Sequence, residues 1–136
     1  MNPSQIGERT EVAVLGALVR AGESVFRPHS DRHRYDLAFE RDGRLVKVQC
    51  KTGRERNGVV VFYTCNTTRS GERRDYRNDV DLFGVYCETR DEVYLIPVGD
   101  LPLRRAHLRV APPRNRQNAG IREAARYLVR DGRLPD

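Results

Sequence analysis

The stretch Tyr35-Asp36-Leu37-Ala38-Phe39-Glu40-Arg41-Asp42-Gly43-Arg44-Leu45-Val46-Lys47-Val48-Gln49-Cys50-Lys51 decides the fold. Asp-Gly between runs rich in Tyr, Leu, Phe and Val is the strongest short-range hairpin signal, with both turn residues at positive φ. Arg41 then faces Arg44, and counting outward pairs Phe39 with Val46, Leu37 with Val48, Tyr35 with Cys50, Ala38 with Lys47 and Asp36 with Gln49. Side chains alternate between the two faces of a strand, so Tyr35, Leu37, Phe39, Val46, Val48 and Cys50 are expected on an apolar face. Asp36, Lys47, Gln49 and Lys51 are expected on the other. Directly opposed residues have Cβ atoms about 4.5–5.5 Å apart, so the Asp36 carboxylate and the Gln49 amide oxygen can reach one small cation.

Lysine is scarce in this chain. Of 25 lysines and arginines, only Lys47 and Lys51 are lysine. Arginine cannot release its proton under usable conditions, whereas a desolvated lysine can, which suits orienting or activating water. A solvated polar hairpin face is the plainer reading of the same residues.

Working outward, residues 5–21 read as a helix capped by Ser4 and ended by Gly22, apolar around most of its circumference and carrying Glu11 in its middle. A carboxylate so placed needs a partner. Strands are expected over 24–28, 59–65, 81–87 and 93–97, with a basic loop containing Arg69, Arg73, Arg74, Tyr76 and Arg77 between the second and third. Asn118 is expected to cap a closing helix in which Ile121, Ala124, Ala125 and Leu128 follow i, i+3, i+4, i+7 spacing. These elements suggest one α/β domain over residues 1–136, built on a mixed sheet of about five strands flanked by helices.

A formal charge of +6 and a sequence pI near 9.6 favour a polyanionic partner. The arginine-rich segment of about 104–122 holds six arginines and no acid. With Arg54, Arg73, Arg74, Tyr76 and Arg77, its Arg114 and Arg116 are the candidate nucleic-acid contacts. Cys50, Cys65 and Cys87 show no C-x-x-C pair and read as small core residues. There is no signal-type start and no apolar run of membrane-spanning length, so a cytoplasmic protein with no membrane partner is expected. His29, Asp31 and His33 could converge as a second, transition-metal site in one loop.

With Glu11 on the first helix, Asp36 on one strand and Gln49-Cys50-Lys51 on the next, the chain resembles the PD-(D/E)XK nuclease superfamily. The resemblance is nearest to the small endonucleases associated with bacterial group I introns and more distant to archaeal Holliday-junction resolvases. It is carried by Gly7-Glu8-Arg9-Thr10-Glu11, Arg34-Tyr35-Asp36-Leu37, Val48-Gln49-Cys50-Lys51-Thr52-Gly53, Val80-Asp81-Leu82-Phe83-Gly84-Val85-Tyr86 and Val93-Tyr94-Leu95-Ile96-Pro97. Tyr35 stands where many members have proline, and Gln49 replaces the usual acid.

The resemblance implies a restriction-endonuclease-like fold and Mg²⁺-dependent hydrolysis of DNA phosphodiester bonds, with Mn²⁺ able to substitute. It makes Glu11, Asp36, Gln49 and Lys51 the catalytic set, with Asp36, Gln49, Glu11 and the Cys50 carbonyl as metal ligands. Glu8 is the alternative to Glu11. An intron-homing endonuclease is the leading expectation, with a junction resolvase, a restriction-type nuclease or a non-catalytic nucleic-acid-binding module as alternatives. A chain this small implies a homo-oligomer, dimer or tetramer, acting on DNA.

Overall fold

In the computed structural model the residues described are 1–30, 32–67, 73–76, 79–111, 121–130 and 132–135, with backbone alone at 66, 67 and 73–75. Helix α1 spans Pro3–Arg20. It starts earlier than expected, because Asn2 rather than Ser4 is the cap: Asn2 Oδ1 accepts from the Gln5 N–H at 2.9 Å and Gln5 Oε1 accepts from the Asn2 N–H at 3.0 Å. Pro3 suits the first helical position, where no N–H is needed. Gly22, at φ 88°, ends the helix as expected. The helix is also less enclosed than its composition suggests: it buries Thr10, Val14 and Leu18, while Val12 and Val19 face out.

Among the described residues ten strands follow in chain order: β1 (Val25–Phe26), β2 (Leu37–Arg41), β3 (Arg44–Arg56), β4 (Val59–Tyr63), β5 (Cys65–Thr67), β6 (Arg73–Asp75), β7 (Leu82–Cys87), β8 (Glu92–Pro97), β9 (Arg105–Arg109) and β10 (Arg122–Glu123). Eight form one mixed sheet, and β5 with β6 forms a separate antiparallel ribbon. The fold class is the expected α/β arrangement of a mixed sheet flanked by a helix, with more strands than the five read from the sequence.

The β2–β3 hairpin has the expected register, from Arg41↔Arg44 through Leu37↔Val48. Asp42 and Gly43 both have positive φ, at 54° and 76°, as a type I′ turn requires. β3 is the central strand: antiparallel to β2 in its first half and to β4 in its last residues, and parallel to β7 over Val48–Gly53. One face of β3 packs with α1 in a cluster of Val14, Leu18, Leu37, Phe39, Val48, Val93 and Leu95. The close approach depends on Gly84 of β7, where a Cβ would stand 2.6 Å from Val14 Cγ1. The second face packs on Val60, Phe62, Tyr76, Phe83 and Val85 within a larger cluster.

No closing helix forms among the described residues. Residues 112–120, including Asn118, lie outside the described residues; beyond them Arg122 and Glu123 pair in parallel with Leu108 and Arg109, and only a single 3-10 turn follows at Ala124–Arg126. The apolar stripe at Ile121, Ala124, Ala125 and Leu128 is overruled by the free edge of β8. The Leu95 N–H donates to Tyr127 O at 2.8 Å and the Val129 N–H to Val93 O at 2.9 Å, so extended tail backbone satisfies groups that a helix would leave unpaired. No helix among the described residues is long and apolar enough to cross a membrane.

Candidate active site

The β2–β3 ladder ends at Leu37↔Val48, one step short of the expected Asp36–Gln49 pairing. The reason is local: Asp36 keeps its N–H on Val48 O at 2.9 Å, and its own carboxylate, through Oδ2, accepts the Cys50 N–H at 2.8 Å. A side-chain oxygen has taken the place of a ladder carbonyl, which holds the Asp36 carboxylate against the backbone of residue 50. Tyr35 also leaves the expected apolar face. It packs with the Tyr76–Phe83 cluster instead, and Lys47 Nζ lies 5.5 Å from its ring centroid.

Strand alternation sends Gln49 and Lys51 to the Tyr76 face, and Cys50 to the α1 face, where it packs beside Val48. Gln49 Oε1 is buried and has no hydrogen-bond partner among the described residues. An orphan acceptor of this kind costs about 1–3 kcal/mol unless something fills it. Lys51 Nζ donates to the Tyr76 hydroxyl at 3.3 Å and sits 4.7 Å from the centroid of the same ring. Tyr76 is itself clamped: its ring meets Phe83 edge-on at 5.5 Å, and the Arg34 guanidinium lies 4.0 Å from its centroid while bonding Asp79 at 2.6 Å.

Glu11 reaches the site from the α1 side. Arg27 Nη2 lies 2.8 Å from Glu11 Oε1. Burial raises the Glu11 pKa, Arg27 opposes the rise, and the charge of Asp36 adds to it. Burial likewise raises Asp36 against the opposing pull of the Cys50 N–H, Lys51 and Arg27. Lys51 is lowered, chiefly by burial, with Asp36 holding it up. Two carboxylates destabilised as ions and a desolvated ammonium interact electrostatically here, and strand β3 carries the Gln49 amide two residues from Lys51. Carboxylate oxygens of this kind are the hard ligands that suit Mg²⁺ or Mn²⁺, and a cation between Asp36 and Glu11 would relieve both charges. The site has only two acids, and among the described residues no three His, Cys, Asp or Glu side chains cluster as metal ligands.

The sequence profile of the PD-(D/E)XK endonucleases matches residues 1–130. The chain belongs to that family. Among solved structures it is similar to a bacterial homing endonuclease, I-Ssp6803I, with a TM-score of 0.74 and 26% identity over 94% of this chain and 89% of that one. No curated protein matches it significantly.

Within this PD-(D/E)XK chain the remaining candidates fall in different places. Arg54 is exposed at the far end of β3. Tyr76, expected on a DNA-tracking loop, is 1% exposed beneath Lys51, so its ring offers no face to a nucleic acid. Arg73 and Arg74 are described by backbone alone, in β6, while Arg77, Arg114 and Arg116 lie outside the described residues. So does Asp31; His33 packs against Tyr35 at 5.3 Å between ring centroids. Sequence reasoning missed Arg27, Arg34 and Asp79, whose roles come from contacts distant along the chain. Only the Arg34-Tyr35-Asp36 adjacency hinted at one of them.

Proposed function

We propose that this chain is a divalent-metal-dependent DNA endonuclease of the homing type, with Mg²⁺ its working ion and Mn²⁺ a substitute. The observation that supports this most is the Asp36 carboxylate, fixed on the Cys50 N–H and interacting electrostatically with both Glu11 and Lys51. The similarity to a homing endonuclease favours that substrate class over a four-way junction.

Asp36 would be the principal ligand, with Gln49 Oε1, the Cys50 carbonyl and Glu11 completing the set. When bound, the ion supplies charge neutralisation at the phosphodiester and a lowered water pKa. Lys51, oriented by the Tyr76 hydroxyl and ring, holds its ammonium where it can orient the attacking water and offset negative charge developing on the phosphorus oxygens. Arg27 neutralises Glu11 while no cation is present, and must yield part of that contact to one. Tyr76, Arg34 and Asp79 keep Lys51 in place and out of bulk water. The three cysteines are free, which suits a reducing cytoplasm. Residues 1–136 would act as one domain, and two or more subunits together, each cutting one strand.

Plasmid cleavage tests the reading. Nicking with Mg²⁺, none with EDTA, and loss of nicking but not of DNA binding in Asp36→Ala are expected. Undiminished cleavage by Asp36→Ala, or cleavage in EDTA, would overturn it. Cleavage of a synthetic four-way junction in preference to linear duplex would replace the homing reading with a resolvase.

A further inference from the structure

Beyond the site, three strands build a second cationic surface. β4 pairs with β3 through Arg54↔Val61 and Arg56↔Val59, and with β9 through Val61↔His107 and Tyr63↔Arg105. Paired residues share a face, so Arg54, Arg56, Tyr63, Arg105 and His107 stand together. Their alternates Val60, Phe62, Ala106 and Leu108 fill the core behind them. The face is the floor of a groove of about 570 Å³ walled by Pro3, Ile6 and Gly7 of α1 and reaching Thr52. Thr52 Oγ1 is hydrogen-bonded to Thr10 Oγ1 at 2.6 Å, so the groove opens one residue from Lys51.

The chemistry of this groove is one-sided. Arg54, Arg56 and Arg105 are exposed, and among the described residues none of them forms an ion pair and no acid lines the groove. By contrast Arg109, farther along β9, is paired with Glu123. His107 has its pKa lowered by burial and then by Arg105, leaving it a neutral hydrogen-bonding group at pH 7. Tyr63 is 65% exposed, with its phenol in the middle of the cations. Arg54 and Arg56 are about 6.6 Å apart along β3, and the β9 row lies about 10 Å across from them. Over such a patch one DNA strand presents two or three phosphates, at one per roughly 3.4 Å of axis.

We propose that this groove binds the phosphate backbone of duplex DNA beside the scissile bond, with Arg54, Arg56 and Arg105 as ionic phosphate contacts and the Tyr63 hydroxyl as a neutral donor. The position of the groove beside the scissile bond rests on the nuclease reading; its charge does not. Phosphate contacts fix register on the duplex without reading sequence, so the groove is a positioning surface.

The test measures binding of the full chain to a short linear duplex of arbitrary sequence, in EDTA, as a function of salt. Each lost phosphate contact lowers the slope of log K against the logarithm of salt concentration by about 0.9. The triple variant Arg54→Ala/Arg56→Ala/Arg105→Ala should therefore lose about 2.7 from the slope. A charge-matched control, Arg44→Ala/Arg130→Ala/Arg133→Ala, should lose less than about 1, and Tyr63→Phe should bind roughly 2- to 10-fold more weakly at unchanged slope. Equal slope changes in the two triples, or none in the first, would overturn the groove. Plasmid cleavage by wild type separates the two readings: cleavage without the expected slope change removes the groove and leaves the nuclease. The slope change in a protein that never cleaves upholds the groove and removes the nuclease.

Discussion

Asp36→Asn separates what the site does for folding from what it does for catalysis. The amide oxygen it introduces can accept the Cys50 N–H now taken by Asp36 Oδ2 at 2.8 Å, so the hairpin end is preserved. What disappears is a partly buried negative charge. Burial raises the Asp36 pKa despite the Cys50 hydrogen bond, Lys51 and Arg27, so the ion is a net cost to the metal-free fold. A carboxyl whose folded pKa exceeds its unfolded value binds more protons folded than unfolded, so stability falls as pH rises from the unfolded pKa through the folded one. Above that window, at pH 7, the whole cost is present, and in EDTA Asp36→Asn should melt higher than wild type. The difference should shrink as pH is lowered through the folded pKa toward the ordinary value of 3.8. A bound cation reverses the order. At a concentration 100 times its Kd an ion adds about 2.7 kcal/mol, or about 10 °C of melting temperature for a chain of this size. Wild type should show that gain with Mg²⁺ and Asp36→Asn should not, while its cleavage is lost. Differential scanning fluorimetry across pH, with and without Mg²⁺, checks all of this. A lower melting temperature for Asp36→Asn in EDTA at pH 7 would show that the Asp36 charge does not cost the metal-free fold, and an equal Mg²⁺ gain in both proteins would remove Asp36 as a metal ligand.

Lys51→Arg keeps the charge but not the compact ammonium beside Tyr76, and turnover should fall at least about 100-fold; comparable plasmid nicking would remove Lys51 from the chemistry. Tyr76→Phe keeps the ring against Phe83 and Lys51 but removes the hydroxyl, so single-turnover cleavage should slow about 3- to 10-fold with DNA affinity unchanged. An affinity loss without a rate loss would assign the tyrosine to DNA contact instead. Gln49→Glu adds a third carboxylate, so the Mg²⁺ concentration giving half-maximal cleavage should drop about tenfold while the metal-free protein melts lower. Titrations showing no shift in half-saturation would exclude Gln49 as a ligand.

What could be read from the sequence was what is local. The Asp42–Gly43 turn sets the hairpin register by backbone chemistry alone, and that register brings Asp36 to the backbone of residue 50. Gly22 ends α1 for an equally local reason. Contacts between distant segments were invisible. Tyr76 looked like one aromatic in a basic loop, and only the folded chain turns it inward onto Lys51, 25 residues away. The tail failed differently, since Ile121, Ala124, Ala125 and Leu128 do repeat at helical spacing. Spacing cannot register that β8 lacks a partner for the Leu95 N–H, and the tail backbone is what meets that need.

The parity of β3 ties the site to the groove. Odd-numbered Gln49 and Lys51 point toward the Tyr76 cluster, as does position 53, where a glycine is needed because a Cβ would stand 2.6 Å from Val60 Cγ1. Even-numbered Thr52, Arg54 and Arg56 point to the α1 side, into the groove. Asp36, beyond the end of β2, interacts electrostatically with groups on both faces: with Glu11 from α1 and with Lys51 from the opposite side. On the proposed nuclease reading the scissile phosphate would lie near Asp36, between the two faces, and the proposed groove would hold the backbone leading to it on the α1 face. A one-residue slip of β3 would exchange the two sets wholesale. The Asp42–Gly43 turn, by fixing the register, also fixes which residues of β3 face the Tyr76 cluster, where the proposed chemistry sits, and which face the groove proposed to hold DNA.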